Sequence, residues 1–220
     1  MYVGNNNQEK MVVRLLSGYC AIFFLLIASI SSTVLHEQQA TAQKTTTSSF
    51  STTKSTPPPP PTTSNFLTYQ NQNPTYGIKI QYPSDWTMSQ TGLRDYTNIV
   101  AFYSPLQNLT AVPSQFLLSR THYSQNITLN DYGKLVNATL QQPGVQIVES
   151  KPFTLGDGTP AHSIVFIPPS GSVPFKPEIM LVWTVKGSNV YTLLYNGEAA
   201  KYSFYLPTIQ KMINSFEITK

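Results

Sequence analysis

The sequence predicts an α+β fold, an antiparallel β-sheet packed by helices, and three observations lead there. Short segments alternate apolar and polar residues with the period of strands. Two junctions between such segments are tight glycine turns, which join antiparallel neighbours. Two further stretches place apolar residues at helical spacing, each with one apolar face that needs a sheet to cover.

In chain order, Ile78, Ile80 and Tyr82 alternate with Lys79 and Gln81, the pattern of a half-buried strand, and Pro83-Ser84-Asp85 stops it. Strands are expected next at Ile99–Tyr103 and Gln115–Thr121. Thr128 is placed to cap a helix running through Gln142, with Asp131 near its third position and Tyr132, Leu135, Val136 and Leu140 on its apolar face. Pro143-Gly144 ends it. Strands resume at Val145–Ser150, Ala161–Ile167, Glu178–Val185 and Asn189–Tyr195. Gly156-Asp157-Gly158 turns the first of these four into the second, and Gly187-Ser188 turns the third into the fourth. A second helix is expected to begin at or just after Pro207, a favoured first-turn residue because that position needs no N–H. It presents Ile209, Met212, Ile213 and Phe216 at helical spacing.

Residues 1–42 read as an export signal or an N-terminal membrane anchor. Lys10 and Arg14 precede an apolar stretch, Leu15–Leu35, and Ala40-Thr41-Ala42 has the small-x-small form that a signal peptidase accepts. Cleavage is expected before Gln43. The alternative is an uncleaved anchor, since roughly 20 residues span a bilayer. Cys20, the only cysteine, lies inside the apolar run and reads as a hydrophobic residue, not an acylation site. Once the segment is removed, neither a disulfide nor a thiolate metal site can form. Residues 43–65 are a disordered linker rich in Thr, Ser and Pro, with a polyproline rod at Pro57–Pro61; a tether is the plain reading and a proline-recognition ligand the sharper one. Residues 66–220 then form one domain. Either fate of the leader puts that domain outside the cytoplasm, secreted or tethered to the outer face of the cytoplasmic membrane.

Charged residues are only 11% of the 220, with a net charge of +4, while Ser, Thr, Asn and Gln number 76. Neutral polar groups supply most of the surface. A nucleic-acid partner would call for a basic stripe, and none is present. No glycine-rich phosphate loop appears either, which argues against a nucleotide enzyme.

The stretch Tyr76-Gly77-Ile78-Lys79-Ile80-Gln81-Tyr82-Pro83-Ser84-Asp85-Trp86 resembles the opening of the PsbP family, where a strand of the form G-hydrophobic-x-hydrophobic runs into P-x-x-W. Asn189–Tyr195, followed by a polar break, an amphipathic helix and Ser215-Phe216, is similar to the family's carboxy-terminal end. Phe153–Ala161 resembles its hairpin. The resemblance covers nearly all of residues 66–220 and implies an αβα-type sandwich around an antiparallel sheet, shared with the Mog and DcrB relatives. It implies little chemistry: PsbP itself is an extrinsic photosystem II subunit that helps to retain calcium and chloride. A Thr/Ser/Pro stalk replaces a basic docking extension here, so photosystem docking does not carry over. The better comparison is with exported prokaryotic members of the family.

Outside the leader the histidines are His122 and His162, both expected in structural or surface positions, and no G-x-S-x-G elbow accompanies them. The acidic residues are scattered singly, without H-E-x-x-H or EF-hand spacing. If a metal is bound, Asp157 and His162 across one hairpin are the candidate ligands; the plain reading of Asp157 is a turn residue. Asn108, Asn126 and Asn137 open N-x-T sequons that export would make available for glycosylation, Asn137 only if it faces water. Trp86 and Trp183 are expected in the core. Tyr123, Tyr132, Tyr202 and Tyr205 belong at the core edge, or else form an exposed contact surface.

The function expected is an exported, non-enzymatic accessory or docking domain for an envelope protein. No catalytic residue and no cofactor are expected, and the only membrane contact is the N-terminal segment if it is uncleaved. The alternatives are an extracytoplasmic metal- or small-ligand-binding protein, or a hydrolase whose site is assembled only in the fold.

Overall fold

The computed structural model describes residues 65–71, 77–90, 98–106, 113–169 and 176–219. The leader and the linker through residue 64, including Leu15–Leu35 and Pro57–Pro61, lie outside them, as does Asn108. Among the described residues no helix is long and apolar enough to cross a membrane.

Ten strands and two helices are described: β1 (Phe66–Gln70), β2 (Ile78–Pro83), β3 (Thr87–Ser89), β4 (Asn98–Tyr103), β5 (Gln115–His122), α1 (Leu129–Leu140), β6 (Gln146–Thr154), β7 (Pro160–Ile167), β8 (Pro177–Lys186), β9 (Asn189–Glu198), α2 (Ala199–Asn214) and β10 (Glu217–Ile218). Seven of the strands form one sheet in the order β3-β4-β5-β9-β8-β7-β6, every neighbouring pair antiparallel. A smaller sheet, β1-β2-β10, is antiparallel too. This is the α+β architecture that the sequence predicts.

The large sheet has a core on each face. On one face α2 and the small sheet bury Ile78, Ile80, Phe102, Phe116, Leu118, Val182, Leu193, Ile209, Met212 and Phe216. On the other, α1 lies over β7 and β8 and buries Tyr132, Val136 and Leu140 against Ile164, Phe166, Ile179 and Trp183. Burying each such side chain stabilises the fold by about 1.5–3 kcal/mol, so two covered faces hold a chain that has no cross-link in this region.

Thr128 caps α1 as expected: its Oγ1 accepts from the Asp131 N–H at 3.1 Å and donates to Asp131 Oδ2 at 2.7 Å. That hydrogen bond and the Lys134 ammonium at 2.9 Å hold the exposed Asp131 carboxyl below its ordinary value. The two-residue turn Gly187-Ser188 joins β8 to β9 between Lys186 and Asn189, with Gly187 at φ +62°.

One helix boundary differs from expectation. α2 starts at Ala199, not at Pro207, and Pro207 sits inside it. Tyr202 and Tyr205 are buried on the face that continues through Ile209, Met212 and Ile213, so packing carries the helix upstream through the proline. Pro207 and Ser203, whose carbonyl loses its partner, both lie on the exposed side, where water takes over. Three strands have no sequence counterpart. β1 buries only Tyr69, while β3 and β10 have three and two residues, too few for a period to show.

Candidate functional site

The β6–β7 hairpin carries the candidate ligands and forms one margin of the large sheet. Its turn is built locally. Leu155 N–H donates to the Thr159 carbonyl at 3.0 Å, Gly158 N–H to the Leu155 carbonyl at 2.9 Å, and Asp157 Oδ1 accepts the Thr159 N–H at 2.9 Å. Gly158 takes φ +85°, which glycine adopts freely. Leu155 is buried, and Gly156 lies so close to the end of α2 that a Cβ there would stand 1.9 Å from the Asn214 carbonyl oxygen. The tip is therefore clamped to the helix.

His162, two residues into β7, turns toward the α1 side of the sheet. Its ring stacks on Trp183 at 4.7 Å, and its Nε2 lies 2.9 Å from Ser150 Oγ on β6. Trp183 donates from Nε1 to the Leu129 carbonyl at 3.4 Å and meets Tyr132 edge-on at 6.0 Å; Tyr132 meets Tyr123 at 6.5 Å. Burial lowers the His162 pKa, so the imidazole is neutral at pH 7. A neutral imidazole beside a hydroxyl has the first two members of a nucleophile–base–acid set. Among the described residues no carboxylate is hydrogen-bonded to His162, and none orients its ring.

Asp157 and His162 thus share the hairpin, each engaged by its own local partner. Among the described residues no three His, Cys, Asp or Glu side chains gather as a metal site. His122, the last residue of β5, places Nδ1 at 3.0 Å from Asn189 Oδ1, which also accepts from Arg120 Nη2 at 2.7 Å. Asn126 is exposed just before α1, and Asn137 faces solvent on α1.

The aromatic residues divide as the core-edge reading has it. Trp86, Trp183, Tyr132, Tyr202 and Tyr205 are buried, and Tyr123 is partly so. Tyr195 and Tyr202 stack at 5.0 Å, and burial pushes both phenols far above their ordinary value, which keeps them neutral. Two buried atoms among the described residues, Asn196 Oδ1 and Tyr202 Oη, have no hydrogen-bond partner.

Sequence reasoning placed the outer strand at Val145–Ser150 but missed its full length and its place at the sheet's margin. β6 runs four residues beyond the expected Ser150, ends the order of the large sheet, and pairs only with β7 among the described residues. All of it is exposed except the partly buried Phe153, and Ile147 and Val148 are 46% and 51% exposed. A bulge between Ile147 and Glu149 bends it. The signal available was Pro152, which is tolerated in a strand chiefly at an edge.

A family model described as PsbP-like protein matches residues 19–218. No curated protein matches in sequence. Among solved structures, LpqN of Mycobacterium tuberculosis, involved in cell envelope biogenesis, is 14% identical with a TM-score of 0.53, over 71% of this chain and 91% of that one. The cyanobacterial PsbP of Synechocystis is 12% identical with a TM-score of 0.49, over 71% and 94%. The Ran-binding protein Mog1p of Saccharomyces cerevisiae is 10% identical with a TM-score of 0.48, over 72% and 97%. At these identities the likeness is one of fold.

Proposed function

Because the chain belongs to the PsbP-like protein family, we propose that it is an exported, non-enzymatic accessory domain that docks on an envelope protein along the outer edge of its large sheet. One observation carries this reading: among the described residues the nine-residue strand β6 pairs on one side only, with two large apolar side chains, Ile147 and Val148, turned to solvent. An open edge offers backbone donors and acceptors in a row, and strand addition to such an edge is a recurrent way of binding an extended segment. Export is supported by the positive flank and apolar run before Ala40-Thr41-Ala42. The fold likeness to an envelope-biogenesis protein fits the same setting.

A photo-reactive residue at the edge tests the reading. Val148→p-benzoylphenylalanine is expected to give a discrete adduct in intact cells, and Lys134→p-benzoylphenylalanine on α1 is expected to give none. Adducts absent from both positions would remove the docking edge. Fractionation checks export separately: the chain is expected outside the cytoplasm, and recovery from the cytoplasm alone overturns that half.

A further inference from the structure

The occupant of the β6 edge can be read from the strand. At the hairpin's closed end the Leu155 N–H donates across to the Thr159 carbonyl, so Leu155 directs its backbone toward the β7 side. Since hydrogen-bonded and non-hydrogen-bonded pairs alternate along an antiparallel ladder, Thr154, Pro152 and Ser150 direct their backbone groups away from β7. Pro152 thus falls where its missing N–H takes no bond from the sheet, and the bulge at Val148 closes the other end. What remains open is short: Val148-Glu149-Ser150-Lys151-Pro152. Bulge, proline and charges together turn away an arbitrary strand.

Turned antiparallel on itself about Ser150, this segment meets its own complement. Ser150 faces Ser150 of the second copy once, on the two-fold axis, while Glu149 faces Lys151 and Val148 faces Pro152 twice each; at the last of these Pro152 offers only its carbonyl, having no N–H to donate. We propose that the β6 edge pairs with β6 of a second copy of this chain, in the register centred on Ser150. This rests on the reading of β6 as the docking edge and identifies the partner that takes it. The two Ser150 residues exchange N–H···O=C bonds, and Glu149 and the second copy's Lys151 occupy the closer, non-hydrogen-bonded pair. Within one chain Glu149 and Lys151 already lie 2.8 Å apart, both well exposed. Pairing therefore gathers two carboxylates and two ammonium groups in alternation. Five residues a side bury less than the roughly 1,200–2,000 Å² of stable complexes. The pair is weak in dilute solution and gains from copies held close together, as on a shared membrane.

The test uses the full chain carrying Cys20→Ser and Ser150→Cys. Hydrogen-bonded partners have Cα atoms about 5.5 Å apart, within reach of a disulfide. Mild oxidation is expected to give a covalent dimer whose yield saturates with protein concentration, while Gln142→Cys, exposed but off the edge, gives only collisional background. In the Ser150→Cys chain, Glu149→Lys or Lys151→Glu alone sets like charges opposite each other and is expected to cut the yield about tenfold. The exchange E149K/K151E restores it, which loss of folding would not do. Equal yields from Ser150→Cys and Gln142→Cys overturn the proposal. In cells, the Val148 photo-adduct separates the two readings: twice the chain's mass supports self-pairing, a different protein alone overturns self-pairing but keeps the docking edge, and no adduct overturns both.

Discussion

Gly156 is held where no side chain fits, because the atom that a Cβ would strike, at 1.9 Å, is the backbone oxygen of Asn214. Gly156→Ala is therefore expected to cost about 1–3 kcal/mol, the usual range for overpacking. The midpoint of urea unfolding would fall at unchanged slope, and a wild-type midpoint would mean that the hairpin is not clamped to α2. His162 makes a different prediction. Burial lowers its folded-state pKa below the ordinary 6.5, so as the pH falls the unfolded chain takes up the proton first. Stability is then full above pH 6.5, declines as the pH drops through the window below it, and levels off once the folded-state pKa is passed. Urea titrations across that range should show the decline in the native chain and a shallower one in His162→Gln; identical profiles would show that His162 does not titrate differently on folding. At this scale the sequence was legible where chemistry is local. Gly156-Asp157-Gly158 reads as a turn, and the two tryptophans read as core. That His162 would stack on Trp183 and meet Ser150 was not legible, because these residues come from three strands whose register is set by pairing.

Among the elements, α1 follows its sequence signals closely, since Thr128, Asp131 and Pro143-Gly144 act within a turn of the residues they organise. α2 does not. Pro207 lies eight residues after its first residue, and a proline in a helix interior costs about 3 kcal/mol relative to alanine. Tyr202, Tyr205 and Ile209 pack on the sheet and offset that cost. Pro207 is itself exposed, so Pro207→Ala removes no packing and is expected to stabilise the protein by up to about 3 kcal/mol, seen as a higher urea midpoint. A lower midpoint would show that the native helix needs the bend. β6 escaped detection beyond Ser150 for a related reason. A strand exposed on nearly every residue has no buried face, so no two-residue period marks it.

For the molecule as a whole, the candidate metal pair gives a clear test. Asp157 Oδ1 holds the Thr159 N–H and His162 Nε2 meets Ser150 Oγ, so each would surrender a hydrogen bond to ligate an ion through that atom. Thermal melts with calcium, manganese, zinc and copper, before and after a chelator, are expected to superpose. Binding confined to the folded state would raise stability by roughly 2.7 kcal/mol at 100 times the dissociation constant, so a saturable rise lost in Asp157→Ala or His162→Ala would establish the pair as a site. The sequence by itself determined the fold class, most strands of the large sheet, the cap of α1 and the two tight hairpin turns, because periodicity, capping and turn geometry act over a few residues. Only the tertiary structure decided which strand became an edge, where α2 begins and which polar side chains meet. Edge status depends on the order of strands in the sheet, and the start of α2 depends on what its tyrosines can be buried against. The Ser150–His162 contact depends on a register shared by two strands. Each is a property of contacts between segments distant in sequence, which no local pattern encodes.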